Sequence, residues 1–322
     1  MKAWIVREFG DLNAMKWEDL PDPEPAPGQV RINVVTSGIN FAETRMRAGT
    51  YSGIALPLIL GMECAGTIDK VGEGVTQFKP GDRVMARTRG SHATKVVAEA
   101  AKTHPLPANM SFEEGAAVPV GWHTAWHALV TVANAQPGQK VLIEAVASSV
   151  GSAALQIAKQ RGCWVGGTAS RDDKLKKAKE WGCDAVYNYK TEDWVTMVKA
   201  DTKLHGVDIA CATIGAETLE RVLDCMANEG KVCNYGSTGG IVVTFNLRVG
   251  ERNVSINTMS IDTSPRYIPE TVATFNAQAL PLFASGKFKG IVDTVLPMSD
   301  LPKAHEMVND RRHFGKVIMK NG

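Results

Sequence analysis

Between residues 140 and 235 the chain alternates short apolar runs with amphipathic stretches, and few folds accept that alternation. Residues 140–144, 163–168, 185–187, 207–211 and 230–233 read as strands, and 152–161 and 172–181 as helices. Strand and helix in strict succession require right-handed crossovers between parallel strands. The pattern therefore predicts an α/β fold with a Rossmann-type, doubly wound parallel sheet.

The first ~115 residues read differently, as the short alternating strands and frequent turns of a β-rich domain. Val30-Arg31-Ile32-Asn33-Val34 alternates cleanly, and turn signals recur at Pro27-Gly28, Gly72-Glu73-Gly74 and Pro80-Gly81-Asp82. Ser111 with Glu114 three residues later is a capping-box signature for a helix start. After about residue 260 the pattern turns mixed and closes on Gly315-Lys316-Val317-Ile318-Met319, a strand expected to rejoin the first domain. A chain of 322 residues is long for one core. The expected division is 1–120 with 261–322, and 121–260.

Net charge is only +2, too small to make nucleic acid or an anionic membrane the main partner. No basic-then-apolar leader opens the chain and no apolar run nears the ~18 residues of a membrane span, so the expected address is cytoplasmic. None of the six cysteines lies in a C-x-x-C pair, which favours buried free thiols over a metal site or disulfides.

The junction at 141–152 is a strand, a turn of small residues (Ala147, Ser148, Ser149, Val150, Gly151), then a helix. A dinucleotide pyrophosphate needs such a turn, because its charge sits on the helix N-terminus and small side chains let backbone N–H groups approach. The same turn without a ligand is also a common packing device. After the second strand, where an NAD site places an acid against the ribose, this chain has Ser170 and Arg171, with Lys174 a turn later. Hydroxyls and cations there suit a 2′-phosphate, hence NADPH, although Arg171 and Lys174 also suit a solvated helix face.

With those residues placed, the whole chain resembles the zinc-independent quinone oxidoreductase (zeta-crystallin-like) and enoyl reductase branch of the medium-chain dehydrogenase/reductases. The resemblance rests on Gly38-Ile39-Asn40-Phe41-Ala42-Glu43 with Arg47-Ala48-Gly49-Thr50-Tyr51, and Gly61-Met62-Glu63-Cys64-Ala65-Gly66. It continues through Gly81-Asp82-Arg83-Val84, Thr124-Ala125-Trp126, Asn188-Tyr189 and Gly315-Lys316-Val317. It implies a GroES-like catalytic domain beside the Rossmann domain, with NADPH in the cleft between them and a homodimer or higher homo-oligomer. It also implies that Ser170, Lys174 and Tyr189 hold the 2′-phosphate and that Thr124 and Lys316 lie near the cofactor. Asn40 and Tyr51 would line the substrate side. Zinc relatives carry a Cys in the Asn40 loop and a His where Met62 stands, so no zinc is expected.

The chain departs from that family at Glu43 (usually Asp), Arg45 (often Tyr), Ser148 and Ser149 (glycines) and Ala212 (Asp). It departs again at Ser91, His92 and Thr94 (Gly, Tyr and Glu). Arg45, Arg47, Arg87 and Arg89 with His92 suggest a cationic mouth for an acidic substrate, unless the arginines are merely scattered and solvated. The expected reaction is hydride transfer from NADPH to a conjugated C=C bond of an enone, enoyl ester or enoyl-CoA, with Tyr51 as proton donor. NADPH:quinone reduction is the alternative, and an NADPH-binding sensor or structural protein with little turnover is the reading from another class.

Overall fold

Alternate side chains of Gln29–Gly38 enter an apolar core, with Val30, Ile32 and Val34 buried and Arg31 and Asn33 half-exposed. This strand is the spine of the first of two compact units, Met1–Val120 with Asn276–Gly322; the second is Gly121–Phe275. The computed structural model describes residues 1–216, 218–244 and 251–322.

The first unit holds β1 (Lys2–Val6), β2 (Met15–Asp19), β3 (Gln29–Gly38), β4 (Leu58–Ile59) and β5 (Glu63–Val71). It continues with β6 (Arg83–Arg87), β7 (Lys95–Glu99) and β8 (Thr103–Pro105). The second unit supplies β9 (Lys140–Ile143), β10 (Trp164–Ala169), β11 (Ala185–Asn188), β12 (Val207–Ala212), β13 (Met226–Asn234) and β14 (Ser255–Thr258). The returning segment adds β15 (Val292–Pro297) and β16 (Lys316–Lys320) to the first. One sheet of that unit runs β15-β16-β3-β5-β6-β8 with β7 also on β3, and another sets β1 between β2 and β4. Helix α1 (Phe41–Arg47) follows directly on β3. At the end of β3 a Cβ on Gly38 would lie 2.6 Å from Lys316 Cε and 2.9 Å from Glu63 Oε1, so only glycine fits there.

The second unit is one parallel sheet in the order β11-β10-β9-β12-β13-β14. That is the doubly wound order, reversing at β9, and ligands of such sheets bind beyond the carboxyl ends of the strands. Val141, Leu142 and Ile143 of β9 have no exposure at all, as expected of a strand covered on both faces. The first strand-to-helix crossover, α4 (Ser149–Gln160), begins three residues earlier than the sequence pattern suggests because Ser148 caps it.

Residues 261–275, expected with the first unit, cluster with the second. Two π-helical turns explain this. In Tyr267–Val272 the Tyr267 hydroxyl meets His123 Nδ1 at 2.7 Å, and Thr271 Oγ1 meets His127 Nδ1 at 2.6 Å and Thr131 Oγ1 at 2.8 Å. His127 and Thr131 lie on the other π-helical turn, His127–Val132. All six cysteines are free and buried. No described helix is long and apolar enough to cross a membrane.

Candidate functional site

The turn between β9 and α4 is held tightly. Ala145 sits at φ 48°, a left-handed conformation that costs an alanine about 1 kcal/mol or more and persists only where the surroundings enforce it. The Ser148 amide closes the turn onto Ala145 O at 2.8 Å, and Ser148 Oγ accepts from Gly151 N at 3.0 Å. Among the described residues this leaves the N–H groups of Ser149 and Val150 unpartnered at the N-terminus of a twelve-residue helix, with the Ser148 hydroxyl hydrogen still free to donate. A Cβ on Gly151 would meet Ala145 O at 2.4 Å and Val146 Cα at 2.7 Å. The turn therefore offers donors to an anion, and its shape depends on that glycine.

Ser170, Arg171, Lys174 and Tyr189 are brought to one corner. β10 and β11 are in register at Ala169 and Asn188, so the residues just after each lie side by side. Asn188 Nδ2 donates to Asp172 Oδ1 at 2.7 Å and Tyr189 N to Ala169 O at 3.1 Å, which ties the two loops together. Arg171 is exposed and forked onto Asp173, at 2.9 and 3.0 Å, while Lys174 is buried in the first turn of α5 (Asp172–Glu180). Ser170, half-buried, occupies the first position after the strand, and no carboxylate stands there.

Sequence reasoning missed Glu144. It directly follows β9, is almost wholly buried, and its Oε2 accepts from Thr213 N at 2.9 Å and Ile214 N at 3.1 Å, while Oε1 accepts from the Thr218 hydroxyl. Where Ala212 itself offers no acid, the carboxyl of Glu144 binds the backbone immediately after residue 212. Burial raises the Glu144 carboxyl pKa above its ordinary 4.5, outweighing those three donors. A raised carboxyl holds its proton more tightly in the folded chain. Its stabilising contribution is therefore full below the ordinary value and declines as pH rises through the folded one. Glu144→Gln is expected to cost most stability near pH ~4 and progressively less toward pH ~7. Urea midpoints at several pH values check this, and a gap independent of pH would refute the shift.

In the first unit a buried polar network begins where β3 gives way to α1. Asn40 is the N-cap and Glu43 the third helical residue, whose Oε1 accepts from Asn40 N at 3.0 Å. Asn40 Nδ2 donates to Glu43 Oε1 at 3.1 Å and Glu63 Oε1 at 2.9 Å, and Lys316 Nζ donates to Asn40 Oδ1 at 2.6 Å. Lys316 also pairs directly with Glu63, whose other oxygen accepts from Val120 N at 2.7 Å. Two carboxylates on one side of the amide and an ammonium on the other fix which end is oxygen. Both Asn40 N–H groups are consumed, so its remaining capacity is one acceptor lone pair. Lys316 retains one N–H.

His92 and Arg47 were expected at a substrate mouth, but both are interior. His92 has no exposure; its Nε2 lies 2.6 Å from Glu43 Oε2 and its Nδ1 2.7 Å from Ser37 Oγ. Arg47 Nε reaches Gly10 O at 3.3 Å and its Nη1 lies 3.5 Å from His305 Nδ1. Arg87 is buried as well, at the end of β6. With Arg47 and Arg87 both buried, the four arginines do not form an exposed cationic mouth. Arg45 is half-buried and donates to Thr50 O at 3.2 Å, and Arg89 is exposed. Tyr51 is half-buried just beyond α1, and its hydroxyl has no hydrogen bond among the described residues. Thr124 is half-buried on the helix Pro119–Trp126. No three His, Cys, Asp or Glu among the described residues group as metal ligands.

Residues 26–119 match the alcohol dehydrogenase GroES-like domain and 149–277 the zinc-binding dehydrogenase family. Rat quinone oxidoreductase is 31% identical over 99% of this chain and 97% of its own length. An NAD-dependent alcohol dehydrogenase structure superposes with a TM-score of 0.90 at 32% identity, covering all of both chains. Escherichia coli quinone oxidoreductase complexed with NADPH gives 0.88 at 28% identity, covering 99% of this chain and all of the other. The enoyl reductase CurK gives 0.89 at 25% identity over 100% of this chain and 99% of its own. With a GroES-like unit, a doubly wound parallel sheet and relatives matched end to end, the chain belongs to the medium-chain dehydrogenase/reductase superfamily, among its quinone oxidoreductase and enoyl reductase homologues.

Proposed function

We propose that this chain is an NADPH-dependent reductase delivering hydride to a conjugated C=C bond of an enone, enoyl ester or enoyl-CoA. The observation that carries the cofactor choice is the corner of Ser170, Lys174 and Tyr189 with no acid at the ribose position. Ser149 N and Val150 N, with the Ser148 hydroxyl, would hold the pyrophosphate, and Ala147 and Gly151 keep that turn open to it. Thr124 and Arg171 complete the proposed cofactor contacts. NADPH, when bound, supplies the hydride. The reading assigns no zinc, since the Asn40 loop has no cysteine and Met62 offers only a thioether.

The chain's own groups then divide the remaining work. Asn40, able only to accept, suits a ribose hydroxyl and not a substrate carbonyl. The spare N–H of Lys316 suits the same cofactor edge. Tyr51, with its hydroxyl uncommitted, suits protonation of the substrate α-carbon. Arg45 and Arg89 are the remaining candidates for an acidic substrate group. Tyr51→Phe is expected to lower kcat about tenfold or more with NADPH affinity unchanged; unaltered turnover would end its role. A homodimer or higher homo-oligomer is the assembly that the family resemblance implies.

Quinone reduction is the second reading, favoured by the quinone oxidoreductase relatives. The deciding experiment follows nicotinamide absorbance with NADPH and NADH against an enone, a short enoyl-CoA, an unsaturated carboxylate and a small quinone. Preferred use of NADPH with a conjugated C=C acceptor supports the proposal, and turnover of the quinone alone selects the second reading. NADPH binding without turnover selects a sensor role.

A further inference from the structure

Ser37, His92 and Glu43 form a hydrogen-bonded chain with the connectivity of an acyl-transfer triad, yet all three residues are fully buried. No substrate carbonyl can reach Ser37 in the middle of a sheet, so the chain has some other use. It ends on Asn40. Glu43 Oε1 accepts from both the backbone and side-chain nitrogens of Asn40, and Glu43 Oε2 is the atom His92 holds.

The charges point the same way. Burial, the largest single influence, pushes the Glu43 carboxyl up, but His92, His305 and the Asn40 amide together hold its pKa below the ordinary value. An ionised Glu43 can only accept, so it faces the donor end of the Asn40 amide. Because Glu43 is an acceptor, Nε2 of His92 must carry hydrogen, and Nδ1 is left to meet the Ser37 hydroxyl. Burial pushes the nearby His305 down to about 3. Two stretches distant in sequence, the β3–α1 junction and the loop before β7, thus converge on the orientation of one amide.

We propose that His92, through Glu43, is a positioning residue that keeps Asn40 Oδ1 turned toward the cofactor ribose. The inference rests on the cofactor role proposed above for Asn40. His92 touches no substrate. It pins the carboxylate plane, and the carboxylate pins the amide. If either link is cut the amide is held by Glu63 and Lys316 alone, and its plane is less tightly fixed against the ribose hydroxyl.

The test is a double-mutant cycle between His92→Phe and Asn40→Ala, read as kcat with whichever acceptor the wild type reduces and as the emission of bound NADPH. His92→Phe alone is expected to lower kcat about 10- to 100-fold, the scale of a misplaced reacting group, with NADPH affinity within about threefold. In the Asn40→Ala background the same change should have no further effect, within about twofold. His92→Gln keeps a donor for Glu43 and an acceptor for Ser37 and should restore at least about a third of the lost activity. If His92→Phe does not fold, Ser37→Ala cuts the far end of the chain gently, with an expected drop of about two- to fivefold that likewise vanishes beside Asn40→Ala. Equal losses in both backgrounds, or none in either, overturn the proposal. An inert wild type refutes the reductase reading separately, because NADPH emission reads the cycle without turnover.

Discussion

Replacing Lys316 with methionine is expected to destabilise the chain by about 3–5 kcal/mol, because it strands a carboxylate in the interior. Lys316 and Glu63 are both essentially inaccessible to solvent, at 1% and 0% side-chain exposure. Removing the ammonium leaves Glu63 with the amide of Asn40 and the N–H of Val120 as donors, and with Glu43 bound to the same amide. The control is Lys320→Met at the exposed end of β16. Its partner Glu113 is reached at 2.7 Å, but the lysine is 51% exposed. Exposed pairs of that kind contribute about 0–1 kcal/mol, so the control should barely move. Thermal unfolding followed by circular dichroism separates the two, with a fall on the order of 10 °C expected for Lys316→Met alone. Equal behaviour of the two variants would mean that the buried pair is not holding the fold.

The second large effect concerns cofactor choice. Ser170→Asp combined with Lys174→Ala should weaken NADPH binding about 10²- to 10³-fold while leaving NADH within a few fold. A charge-assisted hydrogen bond to phosphate contributes about 1.5–3 kcal/mol, and each 1.4 kcal/mol is a factor of ten in affinity. The new carboxylate adds repulsion against a 2′-phosphate yet accepts from a 2′-hydroxyl. Isothermal titration with both cofactors decides it: equal weakening of both would show that the corner after β10 does not read the ribose.

Much of this was legible in the sequence where the signal is local. The alternation of Val30, Ile32 and Val34 announces β3, the capping box at Ser111 and Glu114 forms with bonds of 2.8 and 3.1 Å, and the β9–α4 turn falls where small residues cluster. What failed was nonlocal. Glu43 and His92 each stood out as unusual, yet nothing in either residue says that the other is its partner 49 positions away. Arg47 and Arg87 look like surface charges because a sequence does not reveal which backbone carbonyls or imidazoles will surround a guanidinium. Residues 261–275 were assigned to the wrong unit because π-helical turns break the 3.6-residue period that marks a helix. Glu144 gives no sign of its role in the sequence, because its partners lie about 70 positions away, after β12.

That last case has a consequence for anyone comparing this chain with its relatives column by column. The carboxyl that binds the amides following β12 comes from the residue after β9, so its place in space is not its place along the chain. Returning the acid to Ala212 while Glu144 remains would crowd two carboxyls onto the same amides, and removing Glu144 alone would leave those amides with none. Only the paired exchange keeps a single carboxyl on those amides.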